Sequence, residues 1–238
     1  LNNETKKEIK RLGAKNVYII GGTSVVSEDV ISELKAMNLN VDRISGDDRY
    51  STSLEIAKRL GNVSEIAVVN GVTGLADAVS IAPVAADRNM PIVLSSPNEG
   101  TKVFDEFIKA KNIKTSYIIG GEGAISKAIA SKLPNANRLG GSNRNATNAI
   151  ILEKFYVNKD LNNVFVSKNG MKKVDDLIDA LAVGVLAAKE NSPVVIVGDK
   201  LDNTQEKLLI SKNPKKVTQV GGSGNENAFK QIVNMFKR

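Results

Sequence analysis

Cysteine and histidine are both absent from this chain of 238 residues, and their absence excludes several kinds of chemistry. Without them there is no disulfide, no thiolate nucleophile, no zinc finger and no Ser-His-Asp triad. A metal ion could be held only by carboxylate and carbonyl oxygens, as Ca²⁺ and Mg²⁺ are, and we expect no cofactor. The lack of cysteine leaves the cellular compartment open, because both cytosolic and surface proteins can lack it.

Tryptophan is also absent, and aromatic residues make up only 4% of the chain. A stacking platform for bases is therefore not expected, and we predict no nucleic-acid partner. No apolar run reaches the ~18 residues that span a bilayer, so we expect no membrane insertion. The chain does have an ordinary globular composition, which predicts a folded protein, and a net charge of +7, which weakly favours an acidic partner.

The chain repeats itself at offsets of 95 to 102 residues. NVYIIGGTSVVS at 16–27 recurs as TSYIIGGEGAIS at 115–126 and, more weakly, as VTQVGGSGNEN at 217–227. DRISGDDRYSTSLEI at 42–56 matches NRLGGSNRNATNAII at 137–151, and GLADAVSIAPVAADRNMPIVLSS at 74–96 matches DLIDALAVGVLAAKENSPVVIVG at 176–198. Three independent phrases in one order establish an internal repeat.

The order of the phrases predicts the module boundaries. A second module is expected at 46–140 and a third at 141–238, whereas 1–45 matches only the back end of a first module. We therefore expect the chain to be a piece of a three-module protein, with the front half of the first module upstream or on another polypeptide.

Short β-branched runs alternate with helical patterns in each module, which predicts an α/β fold with a mostly parallel sheet flanked by helices on both faces. The predicted strands are 17–20, 66–69, 92–94, 117–119, 164–166, 194–197 and 217–220. The predicted helices are 27–37, 52–60, 75–87, 101–110, 127–133, 175–190, 204–211 and 226–236. Pro83 should bend or break its helix. The segment 178–188 is apolar nearly all round, which predicts burial between modules.

Two phrases of the form Gly-x-[Asp/Asn]-Arg combine a guanidinium with a hydroxyl that can cap the following helix. They comprise Asp48, Arg49 and Thr52 in one and Asn143, Arg144 and Thr147 in the other. Arginine offers a planar fork that suits carboxylate or phosphate, whereas threonine is a good helix cap. The phrases therefore predict either a repeated contact to an anionic polymer or a structural cap with an ion pair between modules.

Two acidic residues, Asp77 and Asp179, begin apolar helical segments at equivalent places. A buried carboxylate in such surroundings needs a partner, so a helix cap or an ion pair with a repeated arginine is the favoured interpretation. Acid or base catalysis is the alternative, although nothing adjacent in sequence supplies a nucleophile.

Polar and glycine residues follow several predicted strands. Ser95 and Ser96 come after one strand, at the edge of a parallel sheet where ligands collect. The Gly-Gly pairs come before serine-capped helices, which favours either anion binding at a helix N-terminus or a tight turn that needs a positive φ.

The succession GDDRY-x-T, LADA-x-S-x-AP-x-A, PIVL and YIIGG resembles the type 2 cell-wall-binding repeat of clostridial surface proteins, in particular the anchoring region of a surface-layer (S-layer) subunit. The resemblance covers essentially the whole chain. It implies tandem modules in a pseudo-threefold arrangement, an extracellular location at the cell wall and S-layer, and no catalysis. It also implies non-covalent anchoring to an anionic secondary cell-wall polysaccharide.

The leading hypothesis is a non-enzymatic anchor that binds this polysaccharide through several modules at once. The expected polymer-binding residues are Arg49, Thr52, Arg144, Thr147, Ser95 and Ser96, and the expected structural or ion-pairing residues are Asp48, Asp77 and Asp179. Two alternatives stay open. One is an assembly module that contacts other S-layer subunits or a companion surface-layer chain, and the other is an α/β hydrolase that uses Asp77 or Asp179.

Overall fold

The computed structural model describes residues 1–158 and 160–237. The chain divides into two compact units, Leu1–Arg59 and Leu60–Arg238. The module boundaries inferred from the repeat stay a prediction, because they are drawn from sequence phrases and not from compactness.

The first unit contains two parallel strands and three helices. Its elements are α1 (Asn3–Arg11), β1 (Asn16–Ile20), α2 (Glu28–Ala36), β2 (Asn40–Ile44) and α3 (Arg49–Arg59). The amphipathic spacing of α2 buries Ile31 and Leu34 against Ile19 of β1. The acidic residues Glu28 and Asp29 occupy the first turn of α2, where they complement the helix dipole.

The second unit contains the longer α/β succession. Its strands are β3 (Glu65–Asn70), β4 (Ile92–Ser95), β5 (Thr115–Ile119), β6 (Ala136–Leu139), β7 (Asp160–Leu161), β8 (Val164–Lys168), β9 (Val194–Val197), β10 (Asn213–Pro214) and β11 (Val217–Gln219). Its helices are α4 (Leu75–Asp87), α5 (Asp105–Ala110), α6 (Lys127–Ala130), α7 (Arg144–Phe155), α8 (Ile178–Lys189), α9 (Asn203–Ile210) and α10 (Glu226–Phe236). Short 3-10 turns at Lys102–Phe104 and Val174–Leu177 precede α5 and α8.

All named strand pairs in the second unit are parallel. One sheet has the order β4-β3-β5-β6, a second has the order β11-β8-β9, and β7 pairs with β10. The central strands β3 and β8 are largely buried on both faces, as continuous apolar runs predict. The α/β fold with mostly parallel sheets in tandem modules is confirmed.

Several elements differ from the sequence prediction. The helices α1 and α7 were not predicted, nor were the strands β2 and β6. These two strands lie at sheet edges, are polar and are about half exposed, so they lack an apolar run. Helix α4 runs unbroken through Pro83, so Pro83 does not break it, whereas the predicted bend stays a prediction. Proline removes one backbone hydrogen bond, and the burial of Pro83 with its apolar neighbours offsets that loss.

Helix α8 packs closely on α4, yet it is not enclosed as its apolar sequence predicted. Ala180, Val183 and Ala187 are buried on one side, whereas Ile178 and Val185 remain 61% and 65% exposed on the other. The difference arises because α4 covers only one face of α8 among the described residues.

Candidate functional site

The Gly-Gly turns occupy the carboxyl end of a strand in each repeat, and the first glycine always has a positive φ. The values are 110° at Gly21, 101° at Gly120 and 95° at Gly221. Residues with a Cβ rarely adopt this conformation, so the tight turn is what requires glycine at these positions.

Two arginines that the sequence analysis did not single out hold these turns in place. Arg43 donates to the carbonyl oxygens of Gly21 and Val26, both at 2.7 Å. Arg138 repeats the arrangement with the carbonyl oxygens of Gly120 and Ile125, at 2.9 and 2.7 Å. Both arginines lie within the repeated phrases, so their shared offset was the available signal.

The Gly-x-[Asp/Asn]-Arg phrases form helix caps in both repeats. The Thr52 hydroxyl accepts from the Gly46 N–H at 3.0 Å, and the Asp48 carboxylate accepts from the Ser51 N–H at 2.7 Å. Hydrogen bonds from Ser51 hold the pKa of Asp48 below its usual range. These contacts give the first phrase a structural function at the start of α3.

The second phrase repeats these bonds at the start of α7. The Thr147 hydroxyl accepts from the Gly141 N–H at 3.0 Å, and the Asn143 side chain accepts from the Ala146 N–H at 2.9 Å. Thr147 is buried, whereas Thr52 is half-buried. Each hydroxyl oxygen already accepts a hydrogen bond from the backbone, so a polymer that contacted it would have to share that oxygen.

Asp77 and Asp179 lie against the Gly-Gly turns. A Cβ placed on Gly120 would lie 2.7 Å from Asp77 Oδ2, and a Cβ on Gly221 would collide with Asp179 Oδ2. Burial raises the pKa of Asp77 to about 6, and the Arg144 charge opposes that shift. The repeated packing of a carboxylate on a turn favours a structural role for both residues.

The two repeated arginines have different surroundings. Arg144 is half-buried and donates to the Asn169 carbonyl at 2.7 Å, which ties α7 to the turn after β8. Arg49 is exposed at the first residue of α3, in the other compact unit. Burial raises the pKa of Asp77 and the charge of Arg144 lowers it, so the structure brings these two residues near each other.

Ser95 and Ser96 shape the loop that follows β4. Ser95 is buried, and its carbonyl accepts from the Gly71 N–H at 2.9 Å. Ser96 exchanges two backbone hydrogen bonds with Gly100, and its hydroxyl accepts from the N–H groups of Asn98 and Glu99 at 3.3 and 3.4 Å. Ser96 therefore fixes the path of the loop 96–100, whereas Ser95 joins the end of β4 to the turn after β3.

A metal site is not indicated within residues 1–158 and 160–237, where no group of three or more acidic side chains is placed to hold an ion. In the same part of the chain, no helix has the length and apolar character needed to cross a membrane.

The repeated turns, arginine clamps and caps define a tandem-repeat α/β protein whose shared phrases build its scaffold. Comparison with known proteins then identifies the family. The sequence profile of cell wall binding domain 2 (CWB2) matches residues 43–130 and 138–227. The chain belongs to this family, as the resemblance of its repeats predicted, and the family places it outside the cell in association with the cell wall.

Known relatives match nearly the whole chain. N-acetylmuramoyl-L-alanine amidase LytC of Bacillus subtilis (strain 168) is 33% identical over 94% of the chain and 44% of its own length. The amidase enhancer of the same strain is 34% identical over 83% of the chain and 26% of its own length. The chain thus spans less than half of these relatives.

Two solved structures have the same fold over nearly the whole chain. Cwp6 from Clostridium difficile superposes with a TM-score of 0.91 at 30% identity, over 100% of this chain and 38% of that one. Cwp8 from Clostridium difficile gives a TM-score of 0.89 at 33% identity, over 99% of this chain and 41% of that one.

Proposed function

We propose that the chain is a non-enzymatic anchor that holds an S-layer protein on the cell by binding an anionic secondary cell-wall polysaccharide. The observation that carries the proposal is the match of both repeats to a cell-wall-binding domain family. The net charge of +7 supports an anionic polymer as the ligand. Several weak contacts on one polymer would combine into firm anchoring through a high effective concentration.

The candidate contact residues differ in how readily a polymer could reach them. Arg49 is exposed, Thr52, Arg144 and Ser96 are half-buried, and Ser95 and Thr147 are buried. We therefore expect Arg49 to make the most direct contact. The buried residues Ser95 and Thr147 would act indirectly, because they hold in place the backbone around the exposed contacts.

A sedimentation assay with purified cell walls tests the anchor. The walls come from the bacterium that encodes the chain, and they are used before and after acid removes the anionic polysaccharide. We expect binding to untreated walls, loss of binding to stripped walls and weaker binding at higher salt, because exposed charges are screened. Equal binding to stripped walls would instead assign peptidoglycan or a wall protein as the ligand.

Arg49→Ala has a matched control in Arg11→Ala. Both arginines are exposed in the first unit, and Arg11 pairs with Glu8 on the same helix. The proposal predicts weaker wall binding for the first variant and unchanged binding for the second. An equal loss in both would mean that net charge alone governs the interaction.

An exposed apolar face on α8 favours a second role, in which the chain packs against another protein module. Ile178, Leu181 and Val185 lie at helical spacing on this face and are 57–65% exposed. A third helix equivalent to α4 and α8 would cover the face and complete a pseudo-threefold arrangement. Such a helix could belong to a preceding module or to a companion surface-layer chain.

Leu181→Asp separates this role from polymer binding. We expect the variant to lose association with a companion surface-layer chain in light scattering while it still sediments with cell walls. Ile210→Asp is the control, because Ile210 is 66% exposed on α9, outside the face. Unchanged association of Leu181→Asp would remove the α8 face as a contact surface.

A hydrolase remains the less favoured alternative. The raised pKa of Asp77 is a property that a catalytic acid shares. However, the Asp77 carboxylate faces the Gly120 turn, and no hydrogen bond reaches it from the part of the chain described. Release of sugar or peptide fragments from walls by the wild-type chain, abolished in Asp77→Asn, would support this alternative.

A further inference from the structure

An open groove of about 710 Å³ lies in the second unit between the loop after β4, helix α5 and helix α6. Its volume falls within the range of about 300–1,000 Å³ that is typical of small-ligand sites. None of the polymer-binding residues predicted from the sequence lines it, so the groove is a separate feature from the repeated phrases.

The floor of the groove is aliphatic. Ile108, Ile113 and Leu133 line it from α5 and the segments after α5 and α6, and Ile129 lines it from α6. The loop 96–100 closes on this floor at Gly100, where φ is +62° and a Cβ would lie 3.2 Å from Ile129 Cγ1. The two backbone hydrogen bonds between Ser96 and Gly100 hold that loop in place.

The rim of the groove carries more positive than negative charge. Lys102, Lys109 and Lys132 lie on it, opposed by Glu99 and Asp105. Lys102 pairs with Glu99 at 3.7 Å, whereas neither Lys109 nor Lys132 forms an ion pair within residues 1–158 and 160–237. Two exposed ammonium groups are therefore available to an anion above an apolar floor.

Helix α6, which borders the groove, is short. It has four residues, whereas its counterparts α2 and α10 in the other repeats have nine and eleven. The chain leaves the helix at Ser131 and reaches Pro134, which cannot continue a helix hydrogen-bond ladder. A longer α6 would redirect the segment that contributes Lys132, Leu133 and Pro134 to the groove.

We infer that this groove is a binding site for a segment of an acidic saccharide. The aliphatic floor would pack against the C–H faces of a sugar ring, while Lys109 and Lys132 would contact its acidic groups. An acidic peptide would satisfy the lysines, but the family to which the chain belongs favours a wall polymer. The inference rests on the proposed anchoring function and names where the polymer binds.

The test compares two double variants that change the net charge equally. Lys109→Glu/Lys132→Glu reverses the groove lysines, and Lys207→Glu/Lys230→Glu reverses two exposed lysines on α9 and α10. The probe is acid-released wall polysaccharide cut to short fragments, with calorimetry as the readout. Poly-L-glutamate and neutral dextran serve as competitors, and thermal unfolding checks that both variants fold.

We expect the groove variant to bind the fragments about tenfold more weakly, because each reversed pair of exposed charges changes binding modestly. The control variant should change by less than about threefold. Equal losses in both variants, or an unchanged groove variant while wild type binds, would overturn the groove and leave the anchor intact. Effective competition by poly-L-glutamate would overturn the saccharide as occupant. Failure of the wild-type chain to bind intact walls would overturn the anchor itself.

Discussion

Asn148→Ala tests whether two side-chain amides replace a missing strand at the outer edge of β9. The sheet order β11-β8-β9 leaves β9 with a strand neighbour on one side only. The fully buried Asn148 side chain donates to the Val194 carbonyl at 2.9 Å and accepts from the Ile196 N–H at 3.4 Å. Gln205 donates to the Ile196 carbonyl at 2.8 Å and to the Asn148 side chain at 3.0 Å.

The expected loss of stability follows from the groups that the variant would leave unpaired. The Val194 carbonyl and the Ile196 N–H would lose their side-chain partner inside the protein, at about 1–3 kcal/mol each. Together with the small cavity, this predicts a decrease of about 3–5 kcal/mol in the free energy of unfolding. For a unit of this size, the midpoint of thermal unfolding should fall by about 10 °C.

Urea unfolding of the full chain, followed by far-UV circular dichroism, measures this change. Asn234→Ala is the matched control, because Asn234 is exposed in the last turn of α10 and should change stability by less than about 0.5 kcal/mol. Amide hydrogen exchange at Ile196 gives a local readout and should become faster in Asn148→Ala alone. A loss below about 1 kcal/mol, with unchanged exchange at Ile196, would refute the assignment of these amides as edge partners.

Gly120→Ala should destabilise the chain by about 2–4 kcal/mol in the same urea assay, because the added Cβ would meet both a positive φ and the Asp77 carboxylate. Gly123→Ala is the control and should cost far less, because a Cβ there would lie in open space. Arg138→Ala should cost about 1–3 kcal/mol, because the Gly120 and Ile125 carbonyls lose charged donors; an unchanged urea midpoint would contradict the clamp. The pKa of Asp77, about 6 in the folded chain against an ordinary 3.8, means that its contribution to stability falls as pH rises from about 4 to about 6. Asp77→Asn should therefore be more stable than wild type by about 2–3 kcal/mol at pH 7, with the difference vanishing near pH 4; a difference independent of pH would contradict the shift.

Elements with a clear apolar pattern could be predicted: β9 is a continuous buried run, and α10 places its buried residues Ala228 and Ile232 at helical spacing. β9 and α10 have the bounds that their patterns predicted, at 194–197 and 226–236. The edge strands β2 and β6 could not be predicted in this way, because half of their side chains face solvent and include Asn, Asp and Arg. Pairing with a neighbour in the fold, and not local hydrophobicity, makes these segments strands.

The residues of the candidate site were easier to predict than their roles. Repetition alone marks Thr52 and Thr147, but a hydroxyl that caps a helix and one that binds a polymer have the same sequence signature. Their hydrogen bonds to Gly46 and Gly141 appear only in three dimensions. Arg43 was missed for the same reason, because its acceptors are backbone carbonyls that no side-chain pattern reveals.

Shared and divergent residues of the repeats should therefore respond differently to substitution. Residues that recur, such as Arg138 and Thr147, hold turns and helix starts, so their loss should lower stability and wall binding together. The groove beside the short α6 lies in one repeat, and these recurring residues do not line it. Reversing Lys109 and Lys132 should thus weaken binding without lowering the unfolding temperature, since both side chains are exposed. This separation would assign the recurring turns and helix caps to the scaffold and the groove beside α6 to recognition.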